Sequence, residues 1–465
     1  MVTPVSAEMT RPSRSCLQVT ICLLVFLCCG AASSASSQSS GTADGSEEWG
    51  YVDVRQGAHM FWWLYITPNQ ITTDWPILLW LQGGPGGSGV GTGNFGEIGP
   101  LTMALLPRQY TWLHKAHLLF VDSPVGAGFS YADNESLLLT NDKDVTTDLV
   151  NLLQKFFEDH QKLQSSPLFI FAQSYGGKHA TLLGLALNEA IEKGYVKAKL
   201  GGIALGNSWI SPVDSVLSWG PVLRTFSRID GPQEDVIIRK AKTIQEDIDK
   251  GAYLDAAAGR IELVNEILRV TDSVNFYNLL LDFSQDSLVG SLQAVEKGNT
   301  FLRSGSYLES KQLKETNQSV PNLPTLMNGS VRKKLQIIPD TVTWEGLSGA
   351  VFAALQEDFM KDEISKVDEL LSSGVNVTIY SGQLDLVCAN QGTEAWVQKL
   401  RWPGMSSFQG AARKPLYCNG ANGTAAFAKT YKNLAYYWIL LAGHMVPADN
   451  PCIALEMVGL VTKSP

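Results

Sequence analysis

The chain has 465 residues, of which 45% are hydrophobic and 17% charged, with 12 tryptophans and a formal net charge of −9. That composition supplies one large packed core or two or three smaller ones. A mildly acidic chain without a basic block excludes nucleic acid as the main partner, and solubility alone accounts for the acidity.

At the N-terminus Arg11 and Arg14 precede a short apolar run over 16–29, followed by small residues from Gly30 to Ala35. This is the pattern of a cleaved signal peptide, taken as residues 1–32, because the apolar run falls short of the roughly 20 residues of a spanning helix. No comparable run recurs, so no stable membrane insertion is expected after cleavage. Residues 33–48, rich in Ser, Gly and Glu, read as a disordered leader. Cys16, Cys22, Cys28 and Cys29 lie in the N-terminal segment. Cys388, Cys418 and Cys452 remain, which permits one disulfide and one free thiol without choosing the pair. Sequons at Asn134, Asn317, Asn328, Asn376 and Asn422 suit a secretory route, with secretion or the lysosome as the destination.

Beyond the leader, residues 51–55 and 59–67 predict a strand pair joined by a turn at Gly57. Residues 76–84 and 117–124 are continuous apolar runs that end in glycine or proline, as strands buried on both faces do. A helix is predicted over 142–161, a strand then leads to Ser174 and a second helix, and 199–210 predicts a further buried strand. Buried strands alternating with helices give an α/β protein with a mainly parallel central sheet covered on both faces. Pro212 changes the texture: 235–270 reads as one long helical region, and about 285–330 is polar and turn-rich. Residues 212–340 are therefore expected to be a helical cap inserted into a core of 49–211 and 341–465. Strands return at 375–383 and 432–443.

The segment Ala172-Gln173-Ser174-Tyr175-Gly176 matches the G-x-S-x-G nucleophile elbow with alanine in the first glycine position. A serine hydroxyl needs an adjacent base, itself oriented by a third group. On an α/β-hydrolase sheet these follow in the order serine, acid, histidine, which leaves His179 and His444 as bases. His179 is expected to point away along the elbow helix, so His444, in a loop after an apolar strand, is the base by elimination. Asp385, just past the 375–383 strand, is the acid, with Asp340 and Asp358 as alternatives. The loop QGGPGGSG (82–89) supplies oxyanion donors, the N–H groups of Gly84 and Tyr175 being the candidates. This loop lacks the phosphate-binding patterns, and Pro85 removes a donor. His114 and His117 lack the motifs of metal ligands, so no metal or other cofactor is expected.

With these residues assembled, the sequence resembles the serine carboxypeptidase family from about Trp49 to Lys463. The resemblance rests on PILLWLQGGPGGSG, GNFGEIGP, LLFVDSPVGAGFSY, FAQSYGGKHA, ALGNSWISPVDSVLSWGP, VNFYNLL, YSGQLDLV and AGHMVP in combination. It implies an α/β-hydrolase fold with a helical insertion, release of C-terminal amino acids from peptide substrates, a secretory or lysosomal setting and no metal. The family's triad falls on Ser174, Asp385 and His444, and its oxyanion donors on Gly84 and Tyr175. The family grips the substrate carboxylate with an Asn and two acids. One acid matches Glu97, whereas Gln82 stands at the Asn position and Gln173 at the other acid position. Trp80 matches a tryptophan near this network; Met445 and Cys388 match positions near the leaving-group side. Gly87 stands where many relatives have a disulfide cysteine, and Leu441 where they more often have a small residue. With Gln173 in place of an acid, the substrate grip is expected to depend less on acidic pH. An esterase or acyltransferase on the same triad, or a secreted binding protein with weak residual activity, are the competing readings. Oligomeric state, monomer or homodimer, is left open.

Overall fold

The apolar runs become strands because their side chains are buried on both faces of one sheet. A computed structural model describes residues 37–68, 74–283, 307–312, 321–418 and 423–464. The expected signal peptide, Asn317 and Asn422 lie outside them. The strands are β1 (Ser37–Gly41), β2 (Glu47–Arg55), β3 (Ala58–Tyr65), β4 (Ile77–Leu81), β5 (His117–Val121), β6 (Tyr131–Ala132), β7 (Pro167–Gln173), β8 (Lys199–Gly206), β9 (Val377–Gly382), β10 (Lys414–Tyr417), β11 (Thr424–Tyr431) and β12 (Leu434–Ile439). They form one sheet in the order β1-β2-β3-β5-β4-β7-β8-β9-β12-β11-β10, with β6 beside β3.

The centre of this sheet, from β5 through β12, is parallel, while both flanks are antiparallel. The fold is that of the α/β hydrolases, with the expected parallel core set inside a larger mixed sheet. All five residues of β4 and of β5 are buried. Helices α1 (Asp142–Asp159) and α2 (Gly176–Glu192) bury apolar faces against the sheet. The first starts cleanly because the Asn141 side chain accepts from the N–H of Asp144.

Three expectations change. Part of the supposed leader is ordered: Ser37–Gly41 pairs antiparallel with β2, from Ser37 opposite Val52 to Gly41 opposite Glu48. Backbone hydrogen bonds to a sheet edge need no apolar side chains, so a polar composition does not exclude a strand. Gly50 permits the approach, since a Cβ there would lie 2.3 Å from the carbonyl oxygen of Gln38. The single helix expected over 235–270 is two, α4 (Gly231–Asp249) and α5 (Tyr253–Val270), which follow α3 (Pro212–Thr225). Gly251, at φ +75°, makes the break. Strands β11 and β10 extend the sheet beyond β12 where no strand was expected. Their residues are mostly exposed or half-buried, so they lack the continuous apolar signal of the central strands. Cys418 pairs with Cys452, and Cys388 stays a buried free thiol.

Candidate active site

Ser174 sits between the C-terminal end of β7 and the start of α2. Its φ is +57°, the left-handed region, which disfavours an L-residue by roughly 1–2 kcal/mol. The elbow is clamped from both sides: Ser174 N–H donates to the Gly206 carbonyl at 3.0 Å, and the Ser174 carbonyl accepts from Gly177 at 3.0 Å and Trp209 at 2.9 Å. Leu168, Ile170 and Phe171 just before it are wholly buried, each contributing about 1.5–3 kcal/mol. That burial outweighs the strain. Two glycines make room for the turn. A Cβ on Gly176 would lie 2.5 Å from the Leu81 carbonyl, and one on Gly83 would lie 2.5 Å from the Ser174 Cβ. The glycine-rich loop after β4 is thereby packed directly on the serine. Gly84 in that loop has φ +125°.

His444 and Asp385 meet at 2.8 Å, imidazole Nδ1 to carboxylate Oδ2, both side chains buried. Burial pushes the Asp385 carboxyl up, against the opposing pull of His444 and the N–H groups of Cys388 and Val387. The histidine loop is tied to the elbow. The His444 carbonyl accepts from Gln173 Nε2 at 2.9 Å and from Asn207 Nδ2 at 2.8 Å. Asn207 also takes the N–H of Gly382 on its Oδ1 at 2.7 Å, joining the ends of β8 and β9 to the same loop. The backbone carbonyl of Tyr277 accepts the His444 N–H at 2.7 Å, and the Tyr277 ring lies 5.3 Å from the imidazole. Asp449 accepts the Gly443 N–H at 2.7 Å and is itself held by Tyr307 and Lys311 at 2.5 Å each.

Glu97, Gln82 and Gln173 form one buried network beside the serine. The Gln82 amide nitrogen donates to Gln173 Oε1 at 2.6 Å and to Glu97 Oε1 at 3.3 Å. The Gln173 amide nitrogen donates to Glu97 Oε2 at 2.9 Å as well as to His444. Trp80 fixes the Gln82 orientation by donating to its Oε1 at 2.7 Å. Burial pushes the Glu97 carboxyl up to about 8, the two glutamine amides pulling the other way. Glu97 lies on a wide helical turn, Gly89–Ile98, that starts at Ser88; Asp122 accepts from Ser88 Oγ at 2.6 Å and Val90 N–H at 3.0 Å. Met445, next to His444, is also buried.

The other candidates are placed elsewhere. His179 is buried and bonds the Asp142 carboxylate, with Nε2 3.0 Å from it. Asp358 accepts from the Asp142 N–H at 2.7 Å, away from His444. His114 is exposed, whereas His117 is buried in β5 and accepts the Thr67 N–H at 3.1 Å. Asp385, Cys388 and His444 are within 4.8 Å of one another, the one cluster of metal-ligand type among the described residues. Asn207 and Asp449 went unnoticed in the sequence. An asparagine directly after a buried parallel strand was the available signal for the first.

Asn134 and Asn376 are exposed, whereas Asn328 is tied into the fold. Its Nδ2 donates to the carbonyls of Pro324 and Trp344, and its Oδ1 accepts from Trp344.

Comparison with known proteins agrees with this geometry. The serine carboxypeptidase family profile matches residues 38–464. The chain is 50% identical over 431 residues to serine carboxypeptidase-like 51 of Arabidopsis thaliana, covering 91% of this chain and 93% of that one. It is 47% identical over 425 residues to the retinoid-inducible serine carboxypeptidase of Rattus norvegicus, covering 90% and 92%, and 45% identical over 427 residues to that of Homo sapiens, covering 91% and 92%. Among solved structures, Kex1(delta)p, a prohormone-processing carboxypeptidase of Saccharomyces cerevisiae, superposes with a TM-score of 0.74 at 21% identity, covering 90% of this chain and 91% of that one. A match that spans the sheet, the elbow and the histidine loop alike leaves one assignment: the chain belongs to the serine carboxypeptidase family and is a serine-type hydrolase of α/β-hydrolase fold.

Proposed function

We propose that Ser174, His444 and Asp385 are the residues that carry the carboxypeptidase reaction. The observation that carries this reading is the join between the candidate nucleophile and the candidate base. Gln173 and Asn207, from the ends of β7 and β8, both hold the His444 carbonyl while Asp385 holds the ring. In the reaction the Ser174 hydroxyl attacks the carbonyl carbon of the last peptide bond. His444 takes its proton at Nε2, while Nδ1–H donates to Asp385. The oxyanion is received by the N–H groups of Gly84 and Tyr175. His444 then protonates the departing amino acid, and water hydrolyses the acyl-enzyme. The test is release of C-terminal amino acids from N-blocked dipeptides between pH 4 and 9.

The Glu97–Gln82–Gln173 network is the natural seat of the substrate's terminal carboxylate. All four amide N–H groups of the two glutamines are directed within the network or to His444. The donor left for an incoming carboxylate is the proton of Glu97, present below its pKa of about 8. As pH rises through about 8, Glu97 ionises and repels the substrate. KM is therefore expected to stay nearly level between pH 5 and 7 and to rise several-fold from pH 7.5 to 9, the high-pH rise disappearing in Glu97→Gln. A steep KM increase between pH 5 and 7 that survives in Glu97→Gln would remove Glu97 from this role. Trp80 orients the network, and Met445 borders it on the side of the leaving amino acid.

The Cys418–Cys452 disulfide supports passage through an oxidising compartment, in keeping with the N-terminal segment. Exposed Asn134 and Asn376 are the better glycan acceptors; Asn328, bonded on both sides of its amide, is the poorer one. The insertion 212–340 acts as a cap through Tyr277, Tyr307 and Lys311, which brace the histidine loop.

A further inference from the structure

One short stretch of the insertion fastens both halves of the site. Residues 307–312 are helical, and their side chains reach in two directions. Toward the histidine loop, the Tyr307 hydroxyl and Lys311 Nζ donate to Asp449 Oδ1 at 2.5 Å each. The other oxygen of Asp449 accepts the N–H of Gly443, the residue before His444, at 2.7 Å. Toward the turn that carries Glu97, Gln312 Nε2 donates to the Phe95 carbonyl at 3.0 Å, and its Oε1 accepts the Met103 N–H at 2.9 Å. Leu308 closes on the same turn, where a Cβ on Gly96 would lie 2.6 Å from its Cδ1. The base loop and the acid of the carboxylate network are thus tied to the same six residues.

With this stretch comes an ion pair. The Asp449 side chain is 1% exposed and that of Lys311 24%, so water screens the pair little. Asp449 stands close enough to Glu97 to add to the push that burial gives its carboxyl, while Arg108 pulls the other way. A cation bonded to Asp449 offsets that push, because the pair then acts on Glu97 as a dipole and not as a bare charge. The other groups that face Glu97 hold their charge state as the pH rises from 6 to 9. Gln82 and Gln173 do not titrate. Arg108, bonded to the Phe95 and Gly99 carbonyls, stays a cation. The hydroxyls of Tyr380 and Tyr307 are held well above their usual range, chiefly by burial. His444, joined to Glu97 through Gln173, is read separately in kcat.

We propose that Lys311 is a positioning residue for the carboxylate subsite, which shields Glu97 from Asp449 and so sets the upper pH limit of substrate binding. This rests on the placing of the substrate carboxylate at Glu97 made above. The signs are opposite for the two partners. Lys311→Met bares the Asp449 carboxylate, which favours the neutral acid, so Glu97 keeps its proton to higher pH. Asp449→Asn leaves the ammonium alone, which favours the anion, so Glu97 loses its proton at lower pH.

The test measures KM for an N-blocked dipeptide from pH 6 to 10. The midpoint of the KM rise is expected to move up by about half to one pH unit in Lys311→Met and down by about as much in Asp449→Asn, the size of one charge acting through a protein interior. Lys311→Met/Asp449→Asn returns it close to the wild-type value, and Lys311→Arg leaves it there. A loosened cap would raise KM at every pH and could not move the midpoint in opposite directions. Midpoints that stay put, or that shift in the same sense in both single variants, overturn the inference and leave Glu97 in its role. Should Asp449→Asn not fold, Lys311→Met against Lys311→Arg decides. A wild-type KM without a rise that depends on Glu97 overturns the placing of the carboxylate, and this inference with it.

Discussion

Ser174→Ala is expected to lower kcat by on the order of 10⁶-fold, and His444→Ala by a similar factor, because either change removes the nucleophile–base unit as a whole. The Ser174→Ala/His444→Ala double variant then loses little more than either single one, since residues acting as a unit are not additive. Asp385→Asn is expected to cost about 10⁴-fold, the penalty for an imidazole held in the wrong tautomer. KM for an N-blocked dipeptide changes little in all of them, because the Glu97 network is untouched. Stability goes the other way for the serine. Ser174 Oγ is buried without a hydrogen-bond partner among the described residues, so alanine removes an unsatisfied polar atom and no bond. Ser174→Ala should therefore unfold at the same temperature as the wild type or a little above it, as expected where function is held at some expense of stability. Steady-state assay and thermal unfolding on the same preparations check both halves. Residual kcat within tenfold of wild type in Ser174→Ala would dismiss it as the nucleophile.

What the sequence disclosed and what it concealed follow from the range of the forces involved. The central strands were legible because burial on both faces writes a continuous apolar run, as in Ile77–Leu81 and His117–Val121. The juxtaposition of Asp385 and His444 was legible through chain order, since the fold fixes which strand ends can meet. The edge strand Ser37–Gly41 was hidden, because its pairing to β2 is carried by backbone groups that composition does not report. The split of α4 from α5 hung on one glycine, Gly251, within an otherwise helical pattern. Groups that brace the site from a distance, such as Asn207 under the His444 carbonyl or Asp449 at the Gly443 N–H, left only single polar letters in the sequence. Arg260 was hidden more deeply. A lone arginine on a charged helix reads as surface, and only packing places it among Trp209, Trp219 and Phe359.

The histidine set aside as base leads to the other large expected effect. His179, Lys178 and Tyr175 converge on the Asp142 carboxylate at the start of α1. Lys178 Nζ lies 3.2 Å from Oδ2, with side-chain exposures of 0% and 4% for the pair. The Tyr175 hydroxyl donates at 2.9 and 3.0 Å, and His179 Nε2 lies at 3.0 Å. Lys178 also donates to the Asp358 carbonyl and sits 4.9 Å from the centre of the Tyr175 ring. Asp142→Asn removes the carboxylate paired with Lys178, its one counter-charge at bonding distance among the described residues, and leaves a buried ammonium, a change that costs about 3–5 kcal/mol. Lys178→Met added to it removes the stranded charge and should recover a good part of the loss. Although burial raises the Asp142 carboxyl, Lys178 and His179 override it and hold the group well below the usual carboxylate range. A depressed carboxylate stabilises the fold above its unfolded pKa of about 3.9 and loses that contribution as pH falls toward the folded value. The deficit of Asp142→Asn in urea unfolding should thus be full at pH 5–7 and shrink below about pH 4. Because the cluster grips the side chain of Tyr175, whose backbone N–H is assigned to the oxyanion, kcat is expected to fall along with stability. A urea midpoint for Asp142→Asn indistinguishable from wild type at pH 6 would show that Tyr175 is held by its packing against Phe359 and not by this carboxylate.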